Sequence, residues 1–88
     1  MQHIHQNAIP KNASIIDIRD DLERSLKPLR FPNIYPIALG ELEDGNPTLP
    51  PDPLVVVCTN GRRSAYAAAL LEALGAKEVY VLESGIGR

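Results

Sequence analysis

The segment that decides the fold is LVVVCTNGRRS, residues 54–64, in which an apolar run leads directly into a cysteine, a glycine and two arginines. The uninterrupted apolar residues 54–57 predict a central parallel strand that is covered on both faces. Residues 62–74 are good helix formers, and Gly75 is a natural helix stop. The apolar residues Ala67, Leu70, Leu71 and Leu74 have the i, i+3, i+4, i+7 spacing of one helix face. The segment therefore predicts a buried strand, a tight loop that begins at Cys58, and a helix.

Two further apolar runs predict strands on either side of this unit. VYVL, residues 79–82, follows the helix, and SIIDI, residues 14–18, is β-branched and lies between Pro10 and a charged stretch. A strand, a helix and a second strand in succession form the crossover that joins two parallel strands. Such crossovers are almost always right-handed. We therefore predict an α/β fold with a mainly parallel central sheet flanked by helices on both faces.

A short helix is predicted after the second of these strands. Asp20 and Glu23 have the spacing of a capping box, in which each side chain accepts from the other residue's backbone N–H. Leu22 and Leu26 are four residues apart and would share one apolar face. Pro28 limits the helix to about two turns, because proline disfavours helical geometry in the residue before it.

The remaining segments predict brief elements within one domain. Residues 28–53 are dense in proline and glycine, with an extended stretch at 34–37 and one helical turn at 39–42. A short edge strand is predicted near Ile4. With 88 residues, the chain has the length of a single domain.

Composition and charge exclude several classes of function. Nine basic against eleven acidic side chains give a net charge of −2, which offers no basis for binding nucleic acid or an anionic membrane. The N-terminal residues contain no apolar run, so we expect neither a signal peptide nor a membrane span. A single cysteine cannot form an internal disulfide, which fits a reducing compartment. The expected location is the cytoplasm.

The loop after the central strand has the features of a reactive thiol site. A cysteine at a helix N-terminus lies at the positive end of the helix dipole, so we expect its pKa to be depressed. Arg62 and Arg63 add positive charge, and Gly61 lets several backbone N–H groups converge on one anion. The alternative is structural: Cys58 is then the last buried residue of a strand, and the arginines are a solvated helix start.

Four segments in order resemble the rhodanese-like family. The pattern C-x-x-G-x-R-S, which begins at Cys58, is similar to that family's active-site loop, and IIDIR at residues 15–19 is similar to an earlier strand end. Residues 70–75 and 79–85 match its next helix and strand, with Ser84 where glycine is common. The resemblance covers roughly residues 14–87.

The resemblance implies a sulfurtransferase with Cys58 as the catalytic nucleophile. Cys58 would take sulfane sulfur from a small anionic donor such as thiosulfate and pass it, as a persulfide, to cyanide, a thiol or a sulfur-acceptor protein. Two such displacements predict ping-pong kinetics. No metal or organic cofactor is needed, and His3 and His5 lack the further ligands of a metal site.

The resemblance also implies roles for residues around the cysteine. Backbone N–H groups of the loop would stabilise the persulfide anion. Arg63 would bind the donor or order the loop, and Ser64 would cap the helix. Asp17 would hold the loop network, and Arg19 would lie near the pocket mouth, although a strand-end ion pair explains this pair equally well. The implied substrate-binding set is Asp17, Arg19, Thr59, Asn60, Gly61, Arg62, Arg63 and Ser64.

Departures from the family pattern leave alternatives open. The segment between Arg19 and Leu54 is short, and the chain stops at Arg88 before the usual final helix, so we expect a short form of the domain. Thr59 and Asn60 occupy positions where some sulfurtransferases carry a basic residue. A non-catalytic binding or regulatory module and a sulfur relay with a dedicated partner are therefore alternatives.

A cysteine phosphatase or arsenate reductase is a more distant alternative. Those enzymes have a pattern with five residues between the cysteine and the arginine, whereas four separate Cys58 from Arg63. The shorter loop suits a persulfide sulfur better than a full phosphate.

Overall fold

The computed structural model describes residues 1–45, 48–59 and 61–82. These residues form a five-stranded, wholly parallel sheet with helices. The strands are β1 (Gln2–Ile4), β2 (Ser14–Asp17), β3 (Ile34–Pro36), β4 (Leu54–Val57) and β5 (Val79–Leu82). The helices are α1 (Asp21–Leu26), α2 (Leu39–Glu43) and α3 (Gly61–Ala73), with one 3-10 turn at Gln6–Ala8. The predicted α/β class and the parallel sheet are confirmed.

Strand β4 is the centre of the sheet, whose order is β1-β5-β4-β2-β3. All four β4 residues are buried, as their unbroken apolar sequence predicts. In the register between β2 and β4, Asp17 lies opposite Val57. Because parallel strands end at the same edge, the residues that follow Asp17 and Val57 emerge side by side.

Helices α2 and α3 cover one face of the sheet. Ala67 and Leu71 of α3 are fully buried, and Leu70 and Leu74 pack at the margin of the same cluster, which confirms the predicted helical periodicity. Gly75 has φ +109°, a left-handed conformation that ends the helix and that side chains disfavour. The buried residues of this larger core include Ile16, Ile18, Leu42, Leu54, Val56, Cys58, Val79 and Val81.

The opposite face carries a smaller core. Ile15, Val55, Val57 and Leu82 are buried there, and side chains from irregular segments pack against them. These partly buried side chains include Ile4, Ile9, Leu29, Phe31 and Ile34. The sheet is thus covered on both faces by packed side chains, although the segments that connect its strands are short.

Helix α1 is anchored by polar contacts instead of an apolar face. Leu22 is 68% exposed and Leu26 is 77% exposed, so the face on which they were predicted to lie does not pack against the core. The helix has only six residues, none of them buried. The predicted capping box between Asp20 and Glu23 is confirmed, and it holds the first turn.

Two sequence predictions concern residues outside the described part of the chain. Residues 83–85, the end of the segment that resembles the family's next strand, lie there, as does Asn60 of the loop. Among the residues that the structure describes, no helix has the length and apolar character needed to cross a membrane.

Candidate functional site

Cys58 is the first residue after β4 and lies shortly before the N-terminus of α3, which begins at Gly61. The residue is 0% exposed and belongs to the larger core cluster together with Ala67 and Ala68 of α3. The predicted order of strand, cysteine and helix is therefore confirmed. The sulfur is not open to solvent in this conformation.

Glu23 of α1 is the centre of the polar network beside this cysteine. Arg63 donates from Nη1 to Oε1 at 3.0 Å and from Nη2 to Oε2 at 2.7 Å, so the ion pair is bidentate. The Thr59 hydroxyl donates to Oε2 of Glu23 at 2.7 Å. A single carboxylate on α1 thus holds the loop on the C-terminal side of Cys58 and the first turn of α3.

These contacts set the charge states of the pair. Hydrogen bonds from Arg63, and then from Thr59, lower the pKa of Glu23 from 4.5 to about 2. The pKa of Arg63 is raised, chiefly by its hydrogen bonds to Glu23, while burial opposes the shift. Negative charge on Cys58 also raises the pKa of Arg63, because the guanidinium lies within electrostatic range of the sulfur. Both partners of the ion pair are charged at neutral pH.

A second, fully buried ion pair lies behind the first. Arg19 donates from Nε to Oδ1 of Asp17 at 3.0 Å and from Nη2 to Oδ2 at 3.1 Å. The third guanidinium nitrogen of Arg19, Nη1, donates to the backbone carbonyl of Glu23 at 3.4 Å. Asp17 is 2% exposed and Arg19 is 1% exposed. The pair therefore ties the end of β2 to the helix that carries Glu23.

The family follows from comparison with known proteins. A family model described as Rhodanese-like domain matches residues 2–87. The chain belongs to the rhodanese-like domain family.

Two solved structures resemble this rhodanese-like domain along its length. A rhodanese homolog from the extremely thermophilic bacterium Thermus thermophilus is 29% identical, with a TM-score of 0.82 and coverage of 100% of both chains. An NAD-dependent persulfide reductase from A. fulgidus is also 29% identical, with a TM-score of 0.78, over 98% of this domain and 15% of that chain. Comparison with curated proteins gives no match.

The structure brings most of the predicted site residues of the rhodanese-like domain to one edge of the sheet, in two groups. Cys58, Thr59 and Arg63 form the outer group with Glu23. Asp17 and Arg19 form the buried group, so the expected position of Arg19 at a pocket mouth is wrong: its guanidinium is enclosed and bound by Asp17. The alternative interpretation, a strand-end ion pair, is what the structure shows, and Nη1 of Arg19 also donates to the backbone carbonyl of Glu23.

The other described loop residues, Gly61, Arg62 and Ser64, lie in the first turn of α3. Arg62 is exposed at the start of α3, and Gly61 is the first residue of that helix. Ser64 is buried inside the first turn, and its hydroxyl has no hydrogen-bond partner among the residues that the structure describes. The expectation that Ser64 caps the helix is therefore wrong, because α3 begins three residues earlier.

Sequence reasoning missed Glu23 as a member of the site. Its spacing from Asp20 predicted a helix cap, and that role is real: its Oε1 accepts from the Asp20 N–H at 3.2 Å. The bond to Arg63 joins residues 40 positions apart and depends on how α1 lies against the loop. The sequence offers one signal for this role. Glu23 lies on α1, which directly follows β2, and β2 is the neighbour of the strand that leads to Cys58.

Metal binding finds no support in the described segments 1–45, 48–59 and 61–82. They contain no group of three or more His, Cys, Asp or Glu side chains that could hold a metal ion.

Asp17→Asn tests whether the buried ion pair is structural. Because Arg19 would be left buried without its counter-charge, we expect a loss of about 3–5 kcal/mol in the free energy of unfolding. Asp21→Asn is the matched control, since it removes an Asp–Arg pair whose carboxylate is exposed. Chemical denaturation of both variants gives the comparison, and similar stability of the two would contradict a structural role for Asp17.

The low pKa of Glu23 predicts a pH-dependent contribution to stability. An unfolded glutamate with a pKa near 4.5 binds a proton before the folded one with a pKa of about 2 does, so the stabilisation is complete above the higher value. It is lost progressively as pH falls from about 5 to about 2. The pair is partly exposed, so we expect about 1–2 kcal/mol in favour of wild type over Glu23→Gln at pH 7.

Urea unfolding of both proteins between pH 7 and pH 2 measures this contribution. The other carboxyl groups titrate in both proteins, so the difference between them isolates Glu23. A difference that stays constant across the whole range would show that the ion pair does not depress this pKa.

Proposed function

We propose that this rhodanese-like domain is a sulfurtransferase that carries sulfane sulfur as a persulfide on Cys58. The observation that carries the proposal is the position of this cysteine, directly after the central strand and just before the N-terminus of a 13-residue helix. Membership of the rhodanese-like family supports the same chemistry. One of the matched structures is a persulfide reductase, which also supports persulfide chemistry on this fold.

The proposed reaction has two displacements at sulfur. The Cys58 thiolate attacks the outer sulfur of thiosulfate or a similar donor; a sulfur–sulfur bond to Cys58 forms, and sulfite leaves with the electron pair of the broken bond. Cyanide or a thiolate then attacks the outer sulfur of the persulfide, and the Cys58 thiolate is the leaving group. The enzyme returns to its starting state without any external oxidant or reductant.

Electrostatics around the loop supports the anionic intermediates. The N-terminal end of α3 directs the positive end of its dipole toward the loop that contains Cys58. Arg63 lies close enough to respond to negative charge on the cysteine. Burial of Cys58 among apolar side chains strengthens both interactions through a lower local dielectric, and these interactions have to offset the loss of hydration that the same burial imposes on the anion.

The burial of Cys58 also means that the loop must open for each transfer. Thr59 and Arg63 are both bound to Glu23 of α1. Both residues are partly exposed, so a donor can approach this side of the site. We propose that release of one or both contacts admits the donor.

A sulfur relay that works only with a partner protein is the second candidate. The observation in its favour is that Cys58 is fully buried and that Arg63 beside it is already paired, which suits a partner that opens the site by binding. Both the enzyme and the relay need a free Cys58 thiol. Thiols stay reduced in the cytoplasm, which we propose as the location.

Intact-mass spectrometry tests the proposal directly. After treatment with thiosulfate or a low-molecular-weight hydropersulfide, we expect wild type to gain one sulfur atom and to lose it on addition of cyanide or dithiothreitol. Cys58→Ser should gain nothing, because no other cysteine is present. The enzyme proposal fails if wild type remains unmodified with every sulfane donor. A stable persulfide with little turnover on small acceptors would instead favour the relay.

A further inference from the structure

We propose that Glu23 is a specificity-determining residue that biases the Cys58 site against small anionic sulfur donors. The inference rests on the proposed function, because it concerns which donors reach the same cysteine. The Glu23 carboxylate is bound to the Arg63 guanidinium and the Thr59 hydroxyl, which are the groups that an anionic donor would otherwise bind. Such a donor must therefore displace the carboxylate.

The geometry of the contacts is that of a bound anion. A carboxylate that accepts two guanidinium hydrogen bonds and one hydroxyl hydrogen bond, at 2.7–3.0 Å, has the partners expected for a sulfonate-like oxygen group. The carboxylate in this case belongs to the chain itself. The Glu23 carboxylate therefore takes the place that the anionic end of a donor would occupy.

The charge balance of the site points the same way. Arg19 is neutralised by Asp17, and Arg63 is neutralised by Glu23. A thiosulfate dianion that approaches Cys58 therefore meets an ion pair at Arg63 instead of an unpaired guanidinium group, and the charge of Arg19 is already balanced inside the protein. Since the pKa of Glu23 is about 2, the carboxylate stays charged throughout the neutral range and pH does not release it.

The two ion pairs differ in how readily they can be exchanged. The Asp17–Arg19 pair is buried, with side chains 3% and 2% exposed, and no solute reaches it. In the outer pair the side chain of Arg63 is 35% exposed and that of Glu23 is 26% exposed. A partly solvated pair is only weakly favoured over its separated ions, so the outer pair is the one that a ligand can open. Specificity is therefore controlled at Glu23.

Two alkylating reagents that differ mainly in charge measure this effect at Cys58 itself. Iodoacetate and iodoacetamide both form a carbon–sulfur bond with the thiolate and release iodide, but only iodoacetate is an anion. In Glu23→Gln, we expect the iodoacetate rate divided by the iodoacetamide rate to rise about five- to tenfold, because Arg63 is left without a counter-charge. Glutamine still satisfies the capping box, so the helix is retained.

Glu41→Gln is the matched control. Glu41 is the corresponding residue of α2, where its Oε1 accepts from the Ala38 N–H at 3.1 Å, and the substitution removes the same charge from the same type of position. Its rate ratio should equal that of wild type. About 1 M salt should reduce the gain in Glu23→Gln, because the screening length is then only about 3 Å. Equal ratios in wild type and Glu23→Gln would overturn the proposal.

Binding of thiosulfate supplies a readout that needs no reactive cysteine. In a Cys58→Ser background, titration followed by calorimetry should show at least about fivefold tighter binding when Glu23 is also replaced by glutamine. Equal affinity in the two proteins, or no binding by either, contradicts the inference.

Turnover separates this inference from the function on which it rests. For an active enzyme, Glu23→Gln should lower KM for thiosulfate with a smaller change in kcat. Failure of sulfur loading in wild type would refute the proposed reaction, whereas an unchanged rate ratio would refute only the role of Glu23.

Discussion

The parallel pairing of β2 with β4 puts Asp17 opposite Val57, and the arrangement around Cys58 depends on this register. A shift of one residue would turn the side chains of β2 to the other face of the sheet and would remove Asp17 from the end of the cysteine strand. The register itself is held by the buried apolar side chains of both strands on both faces. The packing of the sheet therefore positions the polar network.

From that register, polar contacts extend outward in two steps. Asp17 binds Arg19 inside the protein, and Arg19 reaches the backbone of Glu23 in α1. Glu23 then binds Thr59 and Arg63 on either side of the start of α3. Because α1 buries no residue of its own, these contacts and its capping box are what hold it beside the loop. The same series of hydrogen bonds, from Asp17 to Arg63, thus contributes to the stability of the fold and to the donor specificity that we propose.

Much of this fold is encoded in local sequence patterns. Four consecutive apolar residues ahead of Cys58 predicted the central strand, and the spacing of Ala67 and Leu71 predicted the buried face of α3. Asp20 predicted the start of α1 to the residue. Each of these signals depends on neighbours within a few positions, which is why the sequence alone was sufficient.

The parts that sequence could not supply depend on contacts between distant segments. Arg63 could be identified as a site residue, but its partner 40 residues away could not, because the helix cap already accounted for Glu23. Arg19 was expected either near the pocket mouth or in a strand-end ion pair, and its buried bonds to Asp17 and to the Glu23 carbonyl show the second arrangement. Leu22 and Leu26 show a further limit, since the spacing of a helical apolar pair does not specify whether anything covers it.

A crystal structure of the domain after exposure to a sulfane donor tests the central claim most directly, namely that Cys58 is the sulfur carrier. We predict density for one additional sulfur bonded to Sγ of Cys58, with the loop at Thr59 displaced enough to have admitted the donor. An unmodified thiol beneath an unmoved loop after the same treatment would contradict the account.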